Sequence, residues 1–418
     1  MPVNASQRSD TAVASAVSAE LDRILEGNLI HTSFQPIFDL ESMSVVAYGT
    51  RAGGPEGSLL ESPETLRAAA VEAGRLVEFD TARHVGAIRT SERAGLSAPR
   101  SLFFGAAPSI VTGLAEDETA LAHPMVLEIA GHTLVDADLV PLLQAIVRIR
   151  DRGWAIAITE VGVDPHTLAL LPAVAPDVIC LDLQIISDLP DQRLASVLSG
   201  VSAYAEATGC LVLAHGIESE QQVLTARALG ATLAQGPLYG CPDALPESLP
   251  YLSGVRPAPS GRLAGLRQDT PFSVAAERRE ARISNRGLLL QISLFLEARA
   301  AAEDNSALVF GTFQHRDNFD DWAIERYYPL GLTAAFVGVF GHGFDELSLS
   351  DSMCAVELDA SDPLVAEWNV VVISPDFAAT LTARQLGEPS PTNDTYEFIL
   401  THDRRLTIEA ARTLVARL

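Results

Sequence analysis

The sequence predicts an α/β protein: a parallel (β/α) barrel over its first 250 residues, then a smaller C-terminal α/β domain. Three observations point there. Short apolar runs alternate with helical periodicity up to about residue 245, the order of a parallel sheet. These runs are apolar throughout rather than at every second position, as in strands buried on both faces. Ahead of them, SFQPIFDL (33–40) and VVAYGTRAG (45–53) are joined only by ESMS (41–44), short enough to make an antiparallel hairpin.

The chain has 418 residues, enough for two or three domains. Residues 1–9 show no pattern, and the ordered barrel is placed at 18–250, with 1–17 a disordered N-terminus. From about Asp10, Val13, Val17, Leu21, Ile24 and Leu25 recur at helical spacing until Gly27-Asn28. Ser62-Pro63-Glu64 is a helix start, with Ser as N-cap and Pro in the first turn, and the helical region extends to about Ala94. SLFFGAA (101–107), MVLEIAG (125–131), WAIAITEVG (154–162) and VICLD (178–182) are strands with helical segments between the later ones. A helix over 191–208, strand LVLAHG (211–216), a helix over 219–229 and strand LAQGPLYG (233–240) complete the barrel.

Residues 252–275 are rich in Gly, Pro, Ser and Arg and read as a linker, extended to 251–280, with the second domain at 281–418. AAERREARISNRG reads as a basic helix and LLLQISLFLEARAA as an amphipathic one. ALVFGTF (307–313), AAFVGVF (334–340), WNVVVISP (368–375) and YEFILTH (396–402) are strands. FAATLTARQL (377–386) and RLTIEAARTLVARL are helices. No internal repeat is visible.

Composition narrows the function. The net charge is −25, and all 29 basic residues are arginine. An acidic chain lacks the basic surface that nucleic acid or anionic membrane requires. Without lysine, no ammonium can act as general base or phosphate anchor. No apolar run is long enough to span a bilayer, and the N-terminus lacks a signal-peptide core, so a cytoplasmic location is expected. Cys180, Cys210, Cys241 and Cys354 show no paired or metal-ligand spacing and read as reduced thiols, Cys241 the most exposed.

Several strands end in groups capable of chemistry: Glu128, Thr159-Glu160, and Cys180 with Asp182. In a parallel barrel such ends converge on one mouth, where active sites are built. The segments SFQPIFDLESMSVVAYGTRA, LFFGAAPSIV, MVLEIAGHTL, WAIAITEVGVD, APDVICLDLQII and LVLAHGIESEQQVLTARALGATLAQGPLYG, in this order, resemble the EAL domain. That family hydrolyses the bacterial second messenger cyclic di-GMP with two divalent metals. The resemblance covers residues 18–250 and implies a TIM-like (β/α)8 barrel whose first strand is antiparallel, in agreement with the hairpin.

Carried over residue by residue, the resemblance puts the signature Glu-Ala-Leu on Gly49-Thr50-Arg51, removing a metal-binding glutamate. The arginine that follows falls on Gly53 and the asparagine ligand on Gly105. Glu128 and Asp182 are kept, the aspartate pair becomes Thr159-Glu160, and the lysine that helps activate water becomes Cys180. The glutamate of the seventh strand becomes His215, while Glu218 and Gln235 are kept. The loop after the aspartate pair becomes Val161-Gly162-Val163-Asp164-Pro165-His166. A two-metal site holds its cations about 3.5–4 Å apart to stabilise attacking and leaving oxygens, and magnesium demands near-octahedral oxygen ligation. Most of that cage is missing here. Gly53 in place of arginine also removes a bidentate phosphate contact.

LLLQISLFLEARA, VFGTFQ, DPLVAEWNVVVISPDFAATLTARQL and YEFILTHDRRL resemble the DICT domain, a bacterial sensory module, over residues 283–418. Its ligand is not legible in the sequence.

Glu128, Glu160, Asp182, His215, Glu218 and Gln235 are the candidate ligand-binding residues. The acids and His215 can be combined into a rearranged one-metal site. The plainer reading, which we favour, is a remnant of ancestry with the acids hydrogen-bonded or partly protonated. Cys180 is read as a small buried residue rather than a redox thiol. Gln314-His315-Arg316 either touches a ligand or forms a strand-end turn, and Trp368 is read as core. Arg278, Arg279 and Arg282 are read as a solvated face rather than a site for an acidic partner. The expected function is non-catalytic signalling without metal or cofactor, through protein partners or a small ligand of the DICT domain, with a homodimer by family analogy. The alternatives are a cyclic di-GMP receptor that does not cleave and, last, an active phosphodiesterase.

Overall fold

The computed structural model describes residues 5–96, 100–116, 125–134, 137–161, 165–246, 257–258, 268–302, 306–344, 349, 353–387 and 395–418. Eight strands close a barrel in chain order: β1 (His31–Asp39), β2 (Ser44–Gly53), β3 (Ser101–Gly105), β4 (Met125–Ala130), β5 (Ala155–Thr159), β6 (Val178–Asp182), β7 (Leu211–His215) and β8 (Leu233–Ala234). β1 runs antiparallel to both β2 and β8. β2 with β3, β3 with β4, β5 with β6 and β7 with β8 are parallel. The α/β barrel with its inverted first strand is thus the observed fold.

The helices in order are α1 (Ala5–Glu26), α2 (Pro63–Glu72), α3 (Leu76–Arg93), α4 (Pro108–Glu116), α5 (Leu139–Asp151), α6 (Pro165–Val174), α7 (Leu183–Ser187), α8 (Asp191–Thr208) and α9 (Glu220–Ala228). Ser62 caps α2 as expected, its side chain accepting from the Thr65 amide at 3.2 Å. The single helical region expected up to Ala94 is broken because Gly74 takes φ +67°, a left-handed turn that glycine adopts without strain. The disordered N-terminus expected over 1–17 is corrected: α1 starts at Ala5. Leu21, Ile24 and Leu25 of α1 bury against Leu66, Ala70 and Phe79, and a docked face lets a helix propagate back toward its N-terminus. Residues 1–4 lie outside the described residues. β8 is shorter than the expected 233–240, since the chain turns at Gly236, where the Tyr239 amide donates to the Gly236 carbonyl at 3.0 Å.

By packing, the chain forms two compact units: Met1–Ile129 with Val212–Ala258, and Ala130–Leu211 with Pro259–Leu418. The second unit contains a mixed sheet of seven strands, in the order β12-β11-β10-β13-β14-β15-β9. These are β9 (Arg282–Asn285), β10 (Leu308–His315), β11 (Phe336–His342), β12 (Met353–Glu357), β13 (Glu367–Ile373), β14 (Ala378–Gln385) and β15 (Thr395–Thr401). Helices α10 (Pro271–Ala276), α11 (Arg286–Ala301), α12 (Asp321–Thr333) and α13 (Arg404–Val415) complete it. Its core includes Val309, Phe319, Tyr327, Val337, Val339, Val370, Val372 and Leu381.

Three expectations for this unit are corrected. FAATLTARQL is strand β14, not a helix, antiparallel to β13 and β15. Every residue from Ala378 to Ala383 is buried, so both faces are covered and no period of two survives in the sequence. RISN, expected in a basic helix, is the edge strand β9 paired with β15. The linker ends earlier than expected, because Thr270 caps α10 and Phe272 and Ala275 pack on Ile399 and Leu406. Trp368 is half-buried and packs against this core. Arg278 and Arg279 pair with Glu409 and Asp403 on the surface.

Within the same unit, α13 packs on β13 and β14 and also on α6 and α8 of the barrel. The Gln144 amide donates to the carbonyl of Leu418.

Candidate functional site

The mouth of the barrel starts from Glu128, near the end of β4 and in register with Gly105 of β3. Burial pushes its carboxyl up to about 7, and the nearby charges of Arg83 and Arg51 offset this only in part. His215 ends β7, with a ring nitrogen within 4.8 Å of a Glu128 carboxylate oxygen. These two are ligand-type groups within reach of each other.

The positions around them are closed by other means. Arg83, reaching in from α3, donates from Nε to Asp80 at 2.5 Å and from Nη2 to the Gly105 carbonyl. Its Nη2 stands 3.7 Å from where a Cβ on Gly105 would lie. A guanidinium therefore occupies the ground beside the position to which the resemblance assigns an asparagine metal ligand. His84, the next residue, contacts the same carbonyl through Nε2 at 3.1 Å, and burial holds its ring neutral down to about 3. Among the described residues, Gly105 thus offers a carbonyl already engaged by two side chains.

The signature position is closed as well. Gln235 is buried, its Nε2 donating to the Gln35 carbonyl at 3.2 Å, and that nitrogen lies 2.5 Å from where a Cβ on Gly49 would stand. Gly53 is tighter still, since a Cβ there would meet the Glu61 carbonyl oxygen at 2.3 Å. Thr50 donates to the Phe103 carbonyl at 2.9 Å. Glu218 is exposed at the approach to α9, its amide donating to Gln222 Oε1 at 2.7 Å.

The remaining candidates lie on β5 and β6. Glu160 follows β5 with φ +56°, and its carboxylate contacts His132 Nδ1 at 2.5 Å. No pattern in the sequence singled out His132, which sits in the 3₁₀ turn Gly131–Leu134. Asp182 caps α7, its Oδ1 accepting from the amides of Gln184 at 2.9 Å and Ile185 at 3.2 Å. Asp182→Ala is expected to cost about 1 kcal/mol in urea unfolding, the usual value of a lost N-cap. Of the loop after β5, residues 162–164 lie outside the described residues. Cys180 is buried in β6. Burial raises the Cys354 thiol to about 11 and Cys210 higher still, which keeps both protonated.

Each carboxylate read from the sequence has its own surroundings. Asp182 serves a helix end, Glu160 a histidine, and Glu128 shares its surroundings with two guanidinium charges. Magnesium would need about six oxygen ligands at one point.

The family model of the EAL domain matches residues 18–242, and the model described as "Sensory domain in DIguanylate Cyclases and Two-component system" matches residues 270–386. The chain is 30% identical over 171 residues to the cyclic di-GMP phosphodiesterase RocR of Pseudomonas aeruginosa, covering 38% of this chain and 43% of that protein. It is 30% identical over 118 residues to the cyclic di-GMP phosphodiesterase NbdA of the same organism, covering 28% of this chain and 15% of that protein. The chain thus spans less than half the length of these curated relatives. Among solved structures, an EAL domain protein from Listeria monocytogenes is 17% identical with a TM-score of 0.46, covering 54% of this chain and 94% of that one. The FimX EAL domain of Xanthomonas citri, solved with c-diGMP, is 18% identical with a TM-score of 0.49, covering 59% of this chain and 100% of that one.

Proposed function

The chain belongs to the EAL domain family, and from that premise we propose that its barrel is a catalytically inactive signalling module that works with the C-terminal DICT domain in cyclic di-GMP signalling. The observation that supports this most is the Arg83 guanidinium beside Gly105 and Glu128. A fixed cation there disfavours a divalent metal by like-charge repulsion. Glycine at positions 49, 53 and 105 and cysteine at 180 leave neither the cage nor the lysine through which the family activates water. The module then acts through protein partners or through the ligand of its DICT domain. No described helix is long and apolar enough to cross a membrane, and action in the cytoplasm is part of this proposal.

A receptor that holds cyclic di-GMP without cleaving it is the second reading. Arg51 and Arg83, whose charges both reach Glu128, favour it, since two guanidinium groups at a barrel mouth suit a phosphodiester.

One experiment separates these readings. The purified protein is titrated with cyclic di-GMP by calorimetry, with and without magnesium or manganese, and the mixtures are then chromatographed. The proposal expects intact nucleotide after prolonged incubation with either metal. Micromolar binding without product supports the receptor. Accumulation of linear dinucleotide overturns both.

A further inference from the structure

The C-terminal domain contains a cavity of about 780 Å³, a size typical of small-molecule sites. Phe313, Trp322, Arg326, Trp368 and Tyr396 line it. All five keep accessible surface: Trp322 is 48% exposed and the others are half-buried. Trp368 meets Tyr396 edge to face at 6.1 Å. Four aromatic rings and one guanidinium are thus on offer to a ligand.

The guanidinium is held in place. Arg326 lies one turn after Trp322 on α12, with its guanidinium carbon 4.0 Å from the indole centroid. Its Nε donates to Glu297 Oε2 at 3.0 Å and its Nη2 to Glu297 Oε1 at 3.3 Å. Glu297 is a buried residue of α11. This side-on pair uses one edge of the fork, and Nη1 stands on the other. Among the described residues Nη1 has no acceptor, while the side chain as a whole keeps 16% of its surface open. The acceptors on the same wall are engaged. Both Glu297 oxygens take bonds from Arg326, Gln314 Oε1 accepts from Asn318 at 3.1 Å, and Asp320 caps α12, accepting from the Ala323 amide at 2.9 Å. Arg286 brings a second guanidinium to the wall, and Arg384, paired with Glu397, a third. In a chain of net charge −25, this lining carries more arginines than carboxylates.

We propose that this cavity binds a small aromatic carboxylic acid, its carboxylate accepting from Arg326 Nη1 and its ring packed on the aromatic walls. A guanidinium fixed by a buried carboxylate and an indole pays little entropy to meet an anion, and its planar fork suits a carboxylate. Aromatic side chains supply flat contact area at low entropic cost. The inference rests on the reading that the C-terminal domain senses a ligand, and names the class of that ligand. It does not depend on whether the barrel is inactive, which the cyclic di-GMP chromatography tests separately.

The test is calorimetric titration of the full chain with 2-naphthoate and indole-3-acetate, each compared with its neutral amide, 2-naphthamide and indole-3-acetamide. The rings are the same and only the charge differs. At least one acid is expected to bind, and its amide to bind roughly tenfold to a hundredfold more weakly, the range of a hydrogen bond to a charged group. Arg326→Lys keeps a cation beside Glu297 but has no Nη1. It is expected to lose most of the preference for the acid and to bind the amide as the parent does. Trp322→Ala, at a half-exposed position, is expected to melt with the parent and to weaken acid binding by roughly tenfold, the value of an aromatic contact. The preference of the parent for acid over amide needs no variant, so a destabilised Arg326→Lys leaves the test intact. Failure of both acids to bind, equal binding of an acid and its amide, or undiminished acid binding by folded Arg326→Lys or Trp322→Ala overturns the proposal.

Discussion

Gly53→Arg, which would place an arginine where the resemblance assigns one, is expected to destabilise the barrel strongly. A Cβ at this position would stand 2.3 Å from the Glu61 carbonyl oxygen. That oxygen is backbone, and the segment carrying it is fixed, with the Gly54 amide donating to the carbonyls of Leu60 at 2.9 Å and Glu61 at 3.2 Å. Relieving the contact means moving the strand end or the loop, so the cost should reach about 3 kcal/mol or more, at the upper end for overpacking. Urea unfolding of the variant against the parent measures it. Gly49→Ala meets a softer obstacle, the tip of Gln235, which can rotate away at the loss of about one hydrogen bond, roughly 1 kcal/mol. A Gly53→Arg protein as stable as the parent would show that the loop yields.

Glu128→Gln is expected to stabilise the protein at pH 8 and to change little at pH 5. The folded-state carboxyl titrates near 7, against an ordinary value of 4.5. The folded protein therefore binds this proton more tightly than the unfolded chain, and stability is lost as pH rises from about 4.5 to about 7. Above pH 7 the ionised, half-buried carboxylate costs up to about 3 kcal/mol. Glutamine removes that cost but also leaves Arg83 and Arg51 with less compensation, so a gain of about 1–2 kcal/mol is the expected outcome. His84 works in the opposite sense: it is held neutral, so stability falls as pH drops below its ordinary 6.5 toward about 3. Comparing parent and variant in urea at both pH values cancels the His84 contribution. A variant less stable than the parent at pH 8 would mean that Glu128 is ionised and favourably paired.

The barrel was largely legible because its strands are local signals. Met125–Ala130, Val178–Asp182 and Leu211–His215 are short apolar runs bounded by helical segments, and their parallel order follows from alternation. The C-terminal sheet was less so. Ala378–Gln385 is a strand because β13 and β15 lie on either side of it, a non-local fact that its alanines do not encode. In the mouth, the sequence offers Gly49 and Gly105 where the resemblance assigns metal ligands. The side chains that surround these two glycines could not be read. Arg83 reaches Gly105 across 22 residues and Gln235 reaches Gln35 across 200, and no local pattern marks either contact.

The packing of α13 on α6 and α8 bears on how such a fusion can evolve. Residues 130–211 of the barrel share a compact unit with the C-terminal sheet, so the boundary between homologous modules is not a boundary of packing. Replacing the appended domain by recombination in the linker would strip α6 and α8 of a helix that covers them. A substitution on α13 therefore bears on its fit to α6 and α8 as well as to its own sheet.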